Sequence, residues 1–503
     1  MKRFFCISLL ALCGAVFAQE KSDPPASWSL VRNENIVWRA TLPEGGQSAV
    51  VVAGGRAFTT MHRPINEGDS TKEPNIVGLC LDAKSGEILW EAALPGTDPV
   101  EMSGIFSDAT VFAPIADEKH VWFFNRCGSM GCFEAESGKQ VWLREFTPRP
   151  RHTNRQCEPM MVDDLILTAE VRNKEAGLKM ARHKPVPEGI EPRDVWTYLH
   201  AIDKNTGEVH WVGTAGTSVH NTPRVGQMAD GTWAVAHGRG GGHGPLEKPY
   251  GVSLTRVSDG KTLWSADTNK GEASFQSHWD SENVYWWRGL EHLVFSTQTG
   301  ELLRSQPACD QVDFTQFDSE NGEWSTSLDI SVKAGKKMPL TNQTNALVGE
   351  WHYFLAHDLL AIGRVNVKSG KAEYLQLPAQ KVADSVDAAK DRLIWEKKSA
   401  IPNDTKNSRG ISIAADKRAA GTGFGHVSAA MPVVAGKYLF IPIMNGTVFV
   451  IDTSSEKLDQ NALVSINDLG AAGETWTLSH FTESNGKLYI RTMKEVICIG
   501  QNQ

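Results

Sequence analysis

At residues 201–211 the chain reads Ala201-Ile202-Asp203-Lys204-Asn205-Thr206-Gly207-Glu208-Val209-His210-Trp211. The side chains of Asp203 and Thr206 can hydrogen-bond to nearby backbone groups, and Gly207 can take the positive φ angle that a tight turn needs. A run of apolar residues precedes this turn, and a tryptophan follows it four residues after the glycine. The pattern predicts two short antiparallel strands joined by a hairpin turn.

The same unit recurs along the chain as an acidic residue, Ser or Thr, Gly and then a large aromatic residue. Its copies centre on Gly86 with Trp90, Gly138 with Trp142, Gly207 with Trp211, Gly260 with Trp264, Gly300, and Gly370 with Tyr374. Successive glycines are 52, 69, 53, 40 and 70 residues apart. Two further apolar runs, 49–52 and 56–60, precede the first copy, so one period holds four short strands, A to D. This period and content predict a propeller blade.

The count of these units predicts a closed ring of eight blades. Residues 438–452 form a degenerate seventh unit, and residues 487–499 supply strands of an eighth before the chain ends. The missing outer strand occurs at the other end of the chain, in residues 35–42, where Trp38 takes the place of the repeat tryptophan. Pairing the two ends would remove exposed sheet edges. We therefore predict an all-β, eight-bladed β-propeller with four-stranded antiparallel blades, closed by an N-terminal strand joining the C-terminal blade.

The copy Ala201-x-Asp203-x-x-Thr206-Gly207-x-x-x-Trp211 resembles the tryptophan-docking motif of the PQQ-like β-propeller repeats. That family includes the eight-bladed quinoprotein alcohol dehydrogenases and the BamB-type outer-membrane assembly proteins. The resemblance covers nearly the whole chain after its first residues, and it implies the fold more strongly than any function. It implies docking roles for Trp38, Trp90, Trp142, Trp211 and Trp264, and for Gly86, Gly138, Gly207 and Gly260.

The N-terminus has the features of a secretory signal peptide over residues 1–18. Lys2 and Arg3 precede an apolar run, and Val16-Phe17-Ala18 is a small-residue cleavage site. We expect cleavage near Ala18, a single propeller domain over residues 19–503, and a periplasmic or secreted monomer without a transmembrane segment. Without Lys2 and Arg3, 49 basic residues face 59 acidic ones, a net charge of −10. No basic stripe is present, so we expect no nucleic-acid partner.

Three cysteines, Cys80, Cys132 and Cys498, occupy the repeat position that Ala201 fills in blade three. Their position on strand C favours a role as small buried residues over metal binding. Cys127 and Cys132 flank a short turn and could pair in an oxidising compartment, although the packing role of Cys132 argues against it. The sequence does not assign the pairing of Cys127, Cys157 or Cys309.

The long insertions all belong to one face of the predicted ring. Because strands alternate in direction, the D-to-A and B-to-C connections open on the same face. The insertions lie within blades at 172–194 and 237–250, and between blades at 309–340 and 380–425. Long loops are usually functional or disordered. The charged stretch 381–417 fits disorder as well as function.

Polar residues collect at the predicted starts of strand A, which lines the axis on that same face. The candidates for an axial funnel are His152, Glu158, His220, Asn221, His278, Asn345, His426 and His480. Neutral imidazole is a common metal ligand, so one hypothesis is a metal or ligand site. The other hypothesis is a water-filled polar funnel, and the absence of a closely spaced metal-ligand motif such as His-Glu-x-x-His favours it.

The glycine-rich stretch 237–244 is a second candidate, with His237, Arg239 and His243 as its side chains. Its backbone amides and Arg239 could hold an anion. No Gly-Lys-Ser/Thr follows, so it is not a P-loop, and a flexible hairpin tip is the simpler interpretation.

The resemblance raises the question of a bound quinone. Quinoprotein dehydrogenases carry an adjacent cysteine pair, a calcium ion held by Glu, Asn and Asp, and a catalytic Asp. This chain has no adjacent cysteines, and no family motif surrounds Glu158 or Asn345. We therefore expect neither PQQ nor calcium, and identify no catalytic residue.

Three hypotheses follow: a non-catalytic scaffold that binds a protein or glycan partner, a PQQ-dependent oxidoreductase, and a metal-binding protein or enzyme using the axial histidines.

Overall fold

The computed structural model describes residues 23–64, 74–97, 109–147, 158–173, 186, 188–217, 221–240, 249–268, 277–333, 344–406, 410, 412, 423–424 and 430–501. Within these ranges the chain is almost entirely β-strand. The helical elements there are four short 3-10 turns, Pro192–Val195, Ala388–Lys390, Lys397–Ser399 and Gln460–Ala462. The predicted signal peptide and Cys157 lie outside the described residues.

Eight antiparallel sheets form the blades, and their strands are numbered β1 to β36 in chain order. Blades one to four contain β2–β5 (Val51–Ala53, Arg56–His62, Ile76–Asp82, Ile88–Leu94), β6–β9 (Ile115–Ala116, His120–Asn125, Ser129–Glu134, Gln140–Glu145), β10–β13 (Met160–Val162, Leu165–Val171, Thr197–Asp203, Val209–Thr217) and β14–β17 (Arg224–Gln227, Trp233–Arg239, Gly251–Arg256, Thr262–Asp267).

The remaining blades follow the same order, with strand A innermost and strand D outermost. Blades five to eight contain β18–β21 (His278–Trp279, Asn283–Arg288, Glu291–Ser296, Leu302–Pro307), β24–β27 (Asn345–Val348, Trp351–Ala356, Ala361–Asn366, Ala372–Gln376), β30–β33 (Val433–Ala435, Tyr438–Pro442, Thr447–Asp452, Leu463–Asp468) and β34–β36 (Thr482–Ser484, Lys487–Arg491, Glu495–Ile499) joined by β1 (Ile36–Thr41). The predicted all-β, eight-bladed architecture is confirmed.

The ring closes between the two ends of the chain, as predicted. Strand β1 pairs antiparallel with β36, which places Trp38 opposite Cys498. The segment before β1 adds a second connection, because the buried indole of Trp28 packs between Phe440 of blade seven and Phe481 of blade eight. Its Nε1 donates to the carbonyl oxygen of Asp468 at 3.1 Å. The N-terminal segment therefore bridges both last blades.

A repeat tryptophan docks on the turn of the next blade at most junctions of the ring. In blade three, Asp203 accepts hydrogen bonds from the amides of Asn205 and Thr206, and Gly207 has a φ of +77°. The indole of Trp142 lies so close to Gly207 that a Cβ there would be 2.7 Å from the ring. Its Nε1 donates to the carbonyl oxygen of Lys204 at 2.9 Å. The turn thus needs glycine both for its backbone conformation and for this contact.

The same docking occurs at five successive junctions around the ring. In each, the indole Nε1 donates to the carbonyl three residues before the glycine, and the ring covers the glycine itself. The pairs are Trp38 with Ala83 and Gly86, Trp90 with Ala135 and Gly138, Trp142 with Lys204 and Gly207, Trp211 with Val257 and Gly260, and Trp264 with Thr297 and Gly300.

Arginine makes the contact at the next two junctions, from the tryptophan position in blade five and from strand C in blade six, where Tyr374 fills the tryptophan position. Arg304 of blade five donates to the carbonyl oxygen of Lys368 in blade six at 2.7 Å. Arg364 of blade six is fully buried, donates to the carbonyl oxygens of Ser455 and Glu456 in blade seven, and pairs with Glu373 at 2.7 Å. The guanidinium fork supplies several donors where an indole supplies one.

The cysteines of the repeat lie on strand C directly opposite the tryptophan of strand D. Cys80 faces Trp90, and Cys132 faces Trp142, as Cys498 faces Trp38. All three thiols are free and buried. Because Cys132 is a free thiol, the considered Cys127–Cys132 disulfide does not form.

Two insertions form ordered hairpins. Residues of the 309–340 insertion form β22 (Val312–Asp318) and β23 (Glu323–Ile330), and β22 runs parallel to β27, so blade six has six strands. Residues of the 380–425 insertion form β28 (Gln380–Val382) and β29 (Arg392–Ile394), and the interpretation of disorder is wrong for residues 381–406. Lys381 and Arg32 both pair with Asp391, which fastens this hairpin to the N-terminal segment.

Candidate functional site: the axial mouth

The A strands form the innermost layer of the ring, because A strands of neighbouring blades contact each other. The contacting pairs include β34 with β2, β2 with β6, and β18 with β24. Each strand A begins on the face that carries the long insertions. We use the term axial mouth for six residues at or just before these starts in blades three to eight, namely Glu158, Arg224, His278, Asn345, Met431 and His480. Four of them are among the sequence candidates.

The other candidates have different outcomes. His152, His220, His426 and His243 lie outside the described residues. Asn221 is fully buried; its side-chain nitrogen donates to Ser277 Oγ at 2.9 Å, and its side-chain oxygen accepts from the amide of Gly238 at 2.8 Å. Asn221 therefore joins blade four to the segment that enters blade five, and its amide is engaged in structural contacts.

Glu158 and His480 face each other across the axis. They belong to blades three and eight, which are not neighbours, yet His480 Nε2 lies 3.7 Å from Glu158 Oε2. The side chains are 14% and 10% exposed, so both are largely removed from water. His480 Nδ1 lies 3.1 Å from the carbonyl oxygen of Phe481 and must donate to it.

Arg224 supplies the positive charge of the mouth. Burial lowers the pKa of its guanidinium, and the nearby Glu158 carboxylate partly opposes that effect. Its Nη2 donates to the thioether sulfur of Met431 at 2.9 Å. Arg224 and Met431 occupy the same kind of position as the sequence candidates, at or just before strand A, but sequence reasoning did not select them because it searched for histidines and metal ligands.

A chain of hydrogen-bonded side chains leads away from the axis, from His278 on strand A to His352 on strand B and His292 on strand C. His278 Nε2 donates to the backbone oxygen of Asn345 at 3.1 Å, and His352 Nε2 donates to the side-chain oxygen of Asn345 at 2.9 Å. His352 Nδ1 then accepts from His292 Nε2 at 3.0 Å. The acceptors fix one tautomer for all three imidazoles.

These histidines are held neutral. Burial, together with the charges of Arg224 and His352, holds the pKa of His278 well below its ordinary value. Burial lowers the pKa of His352 to about 3. For His292, burial and then His352 and Arg304 hold the pKa well below its ordinary value. At neutral pH the chain offers hydrogen-bonding groups without positive charge.

The structure places two residues of the glycine-rich candidate, His237 and Arg239, in a strand, whereas the sequence predicted a loop. His237 and Arg239 lie within strand β15, opposite Ser253 and Gly251, because that strand continues to Arg239, three positions further than predicted. His237 Nε2 lies 2.9 Å from Thr255 Oγ1, and burial, followed by the charge of Arg239, lowers its pKa to about 3. Arg239 donates to the carbonyl oxygen of Ala266. Both side chains belong to the interior of blade four, and a flexible hairpin tip is wrong for these two residues.

A separate cleft of about 440 Å³ lies on the same face near the junction of blades seven and eight. Its polar lining includes Arg39, Glu474, Lys494 and Glu495, with the buried Trp476 as an aromatic wall. Arg39 Nη2 donates to both carboxylate oxygens of Glu495 on the neighbouring strand. No sequence pattern marked this cleft, because its walls come from four distant segments.

Metal ligands are sparse among the residues that the structure describes. Within them, no group of three His, Cys, Asp or Glu side chains is arranged to hold a metal ion. Glu158 and His480 approach each other as a pair. The described part of the axial mouth thus combines one carboxylate–imidazole pair, one guanidinium and neutral imidazole.

Comparisons with known proteins agree with the repeat pattern. A PQQ-type family model, described as outer membrane protein assembly factor BamB, matches residues 32–174. The chain is an eight-bladed β-propeller whose first part matches the PQQ-type family model. The matched stretch covers the closing strand, blades one and two, and the start of blade three, and it contains the docking residues Trp38, Trp90 and Trp142.

Solved structures similar to this propeller include two kinds of protein. Quinohemoprotein alcohol dehydrogenase from Pseudomonas putida HK5 is 12% identical, with 96% of this chain and 79% of that chain covered and a TM-score of 0.49. The corresponding enzyme from Comamonas testosteroni is 11% identical, with 93% and 77% covered and a TM-score of 0.49. BamB from Moraxella catarrhalis is 13% identical, with 92% and 96% covered and a TM-score of 0.34.

No curated protein matches the propeller in sequence. The fold therefore rests on its own sheets and register. Among its described residues, no helix has the length and apolar character needed to cross a lipid bilayer.

Proposed function

We propose that this PQQ-like propeller is an extracytoplasmic, non-catalytic scaffold that binds a protein partner through its insertion-bearing face and axial mouth. The contact between Glu158 and His480 carries the proposal. It engages the carboxylate of the mouth with an imidazole from a distant blade, while Arg224 lies beside the same carboxylate. Polar groups that neutralise one another in this way suit a recognition surface.

The chemistry of the neighbouring groups supports the same proposal. A general base needs a pKa near the working pH, whereas burial holds the pKa of His278 far below that range. Its Nε2 already donates to the backbone of Asn345. His278 therefore suits a fixed hydrogen-bonding role better than proton transfer.

The proposed location and partner class have separate support. The predicted signal peptide over residues 1–18 favours export. The matched family model carries the description of an outer membrane protein assembly factor, which favours a protein partner over a glycan. N-terminal sequencing of protein from the native host should begin near residue 19, and an intact Met1 would contradict export.

The proposal is tested with the full mature protein and the double variant Glu158→Gln with His480→Gln. Chemical crosslinking in the native host should capture a protein with the wild type and at least tenfold less with the double variant. His210→Gln is the matched control, because His210 is exposed on the outer strand β13 of blade three. Capture of a glycan instead would contradict the protein partner.

The competing enzymatic hypotheses have their own readouts. We expect PQQ with calcium to leave the melting temperature unchanged, and elemental analysis of purified protein to find less than one metal ion per ten chains. A melting-temperature rise with PQQ and calcium, accompanied by dye-linked alcohol oxidation, would overturn the scaffold. A stoichiometric metal lost in the double variant would support the metal-binding hypothesis instead.

A further inference from the structure

The hairpin β22–β23 extends blade six beyond the outer edge of the ring. Strand β22 pairs with the outer strand β27, and β23 is the last strand of the six-stranded sheet. Among the described residues, β23 has a strand on one side alone. Its other side presents a row of backbone amide and carbonyl groups that can pair with another chain.

Strand β23 differs from the outer strands of ordinary blades in its exposure. Those strands shield alternate residues from solvent against the next blade, as β5 does. In β23, five consecutive residues, Ser325 to Asp329, are exposed. Leu328 alone is 66% exposed. Both faces of the strand are therefore exposed over residues 325–329, whereas Trp324 and Ile330 pack against core clusters of the ring.

Common protections of a sheet edge are largely missing here. Lysine, proline and bulges normally discourage pairing along an edge, yet β23 reads Glu-Trp-Ser-Thr-Ser-Leu-Asp-Ile. The one irregularity comes near its end, where Asp329 has a φ of +51° and the register shifts. The preceding residues, 323–327, pair with β22 in regular register.

One face of this edge offers an aromatic surface. Trp324 lies opposite Phe317 in the hairpin, and Trp395 of the neighbouring insertion stacks on Phe317 with centroids 4.3 Å apart. Thr326 shares this face, because its hydroxyl lies 2.9 Å from that of Thr315. An added strand would place alternate side chains beside Trp324 and Leu328, which favours apolar residues at every second position.

The negative charge of the hairpin favours basic residues in a segment that pairs with β23. Residues 309–333 contain six acidic side chains and one lysine, at Asp310, Asp313, Asp318, Glu320, Glu323, Asp329 and Lys333. Lys371 neutralises Asp313. A second copy of this strand would bring Glu323 towards Asp329 in antiparallel pairing, and the like charges would repel. A basic segment would be attracted instead.

We propose that β23 is a docking edge for an extended, basic segment of a partner protein, which adds as a seventh strand to blade six. The segment is six to eight residues long to match Glu323–Ile330, with apolar residues alternating with lysine or arginine. This is β-augmentation, in which backbone hydrogen bonds supply affinity and alternate side chains supply specificity. It uses the outer rim, and so does not depend on the axial mouth.

The probe is a fluorescent eight-residue peptide of alternating valine and lysine, titrated into the full mature protein and followed by anisotropy. Two further peptides carry N-methyl groups on either the four valines or the four lysines. All three have the same charge. Because successive amides of a strand point in opposite directions, one methylated set removes the amides that face β23, and the other removes those that face solvent.

One methylated peptide should bind at least tenfold more weakly than the parent, and the other within threefold of it. Hydrogen–deuterium exchange should show protection of amides within residues 323–330 when the parent peptide is bound. Equal binding of both methylated peptides would mean simple charge attraction and overturn the proposal. Absence of binding by the parent, protection confined to other strands, or tighter binding of a valine–glutamate peptide would overturn it as well.

Discussion

Trp38 lies against Gly86 at the junction where the ring closes, so closely that a Cβ on Gly86 would be 2.5 Å from the indole. Trp38 comes from the N-terminal strand and Gly86 from the turn of blade one. The same indole donates to the carbonyl oxygen of Ala83 at 3.1 Å. This contact fixes the distance between the closing blade and the first blade.

Gly86→Ala should lower the free energy of unfolding by about 2–4 kcal/mol, because it combines an unfavourable positive φ with a clash against a buried ring. Gly55→Ala is the control, since Gly55 has a φ of +75° but no atom within 4 Å of its added Cβ. It should cost about 1 kcal/mol. Urea titration measures both. Equal losses would show that the indole contact adds nothing.

Trp211→Ala should cost about 3–5 kcal/mol, because the side chain is 8% exposed and leaves a cavity between blades three and four. Trp211→Phe keeps part of the ring but removes the donor to Val257, so we expect an intermediate loss of about 1–3 kcal/mol. Trp233, at 38% exposure, provides the control substitution to alanine. A loss at Trp233 as large as at Trp211 would contradict the docking role.

Arg364→Met should cost about 3–5 kcal/mol, because it leaves Glu373 without its buried partner and two carbonyls of blade seven without donors. Arg364→Lys should recover little, because lysine cannot reproduce the fork or its stacking 4.0 Å above Trp351. Lys368→Met removes an exposed ion pair with Glu350 and should cost about 0–1 kcal/mol. Full rescue by lysine would show that charge alone matters at this junction.

Acid should destabilise the protein between about pH 6.5 and pH 3. His237 and His352 have folded-state pKa values of about 3, below the ordinary value of 6.5. The unfolded chain therefore binds protons in this window that the folded chain does not, so the stability present above pH 6.5 is lost as the pH falls. Each such histidine adds a slope of about 1.4 kcal/mol per pH unit.

His237→Gln should reduce the slope of the free energy of unfolding against pH by about 1.4 kcal/mol per pH unit. Urea titrations at pH 7 and pH 5 measure this slope. His210→Gln should leave it unchanged, because His210 is exposed. A His237 variant with the same slope as the wild type would show that its imidazole is protonated in the folded protein.

The blades and their closure could be predicted from the sequence, because each docking tryptophan needs a glycine at fixed spacing and both residue types can be recognised in the sequence. The same reasoning missed Arg304, which fills the tryptophan position without resembling an aromatic residue, and Arg364, which reaches the next blade from strand C. It also read 309–340 as a loop, although Asn321-Gly322 between two alternating runs is a strong hairpin signal. Which blade that hairpin joins depends on packing that the pattern does not contain.

The axial residues were less predictable. A position at the start of strand A could be read from the repeat, which selected Glu158, His278, Asn345 and His480. Their partners come from distant blades, so the contact of Glu158 with His480 and the role of Arg224 follow only from closure of the ring.

Pairing of β1 with β36 joins residues 456 positions apart, such as Arg39 and Glu495. At a synthesis rate of 5–20 residues per second, strand β1 must wait roughly 20–90 s for its partner to be made. During that time its backbone is open to wrong partners, including other copies of the growing chain. We therefore expect newly made protein to need a chaperone that shields β1 until β36 is made. A shortage of that chaperone should cause aggregation during synthesis, even though the finished ring is stable.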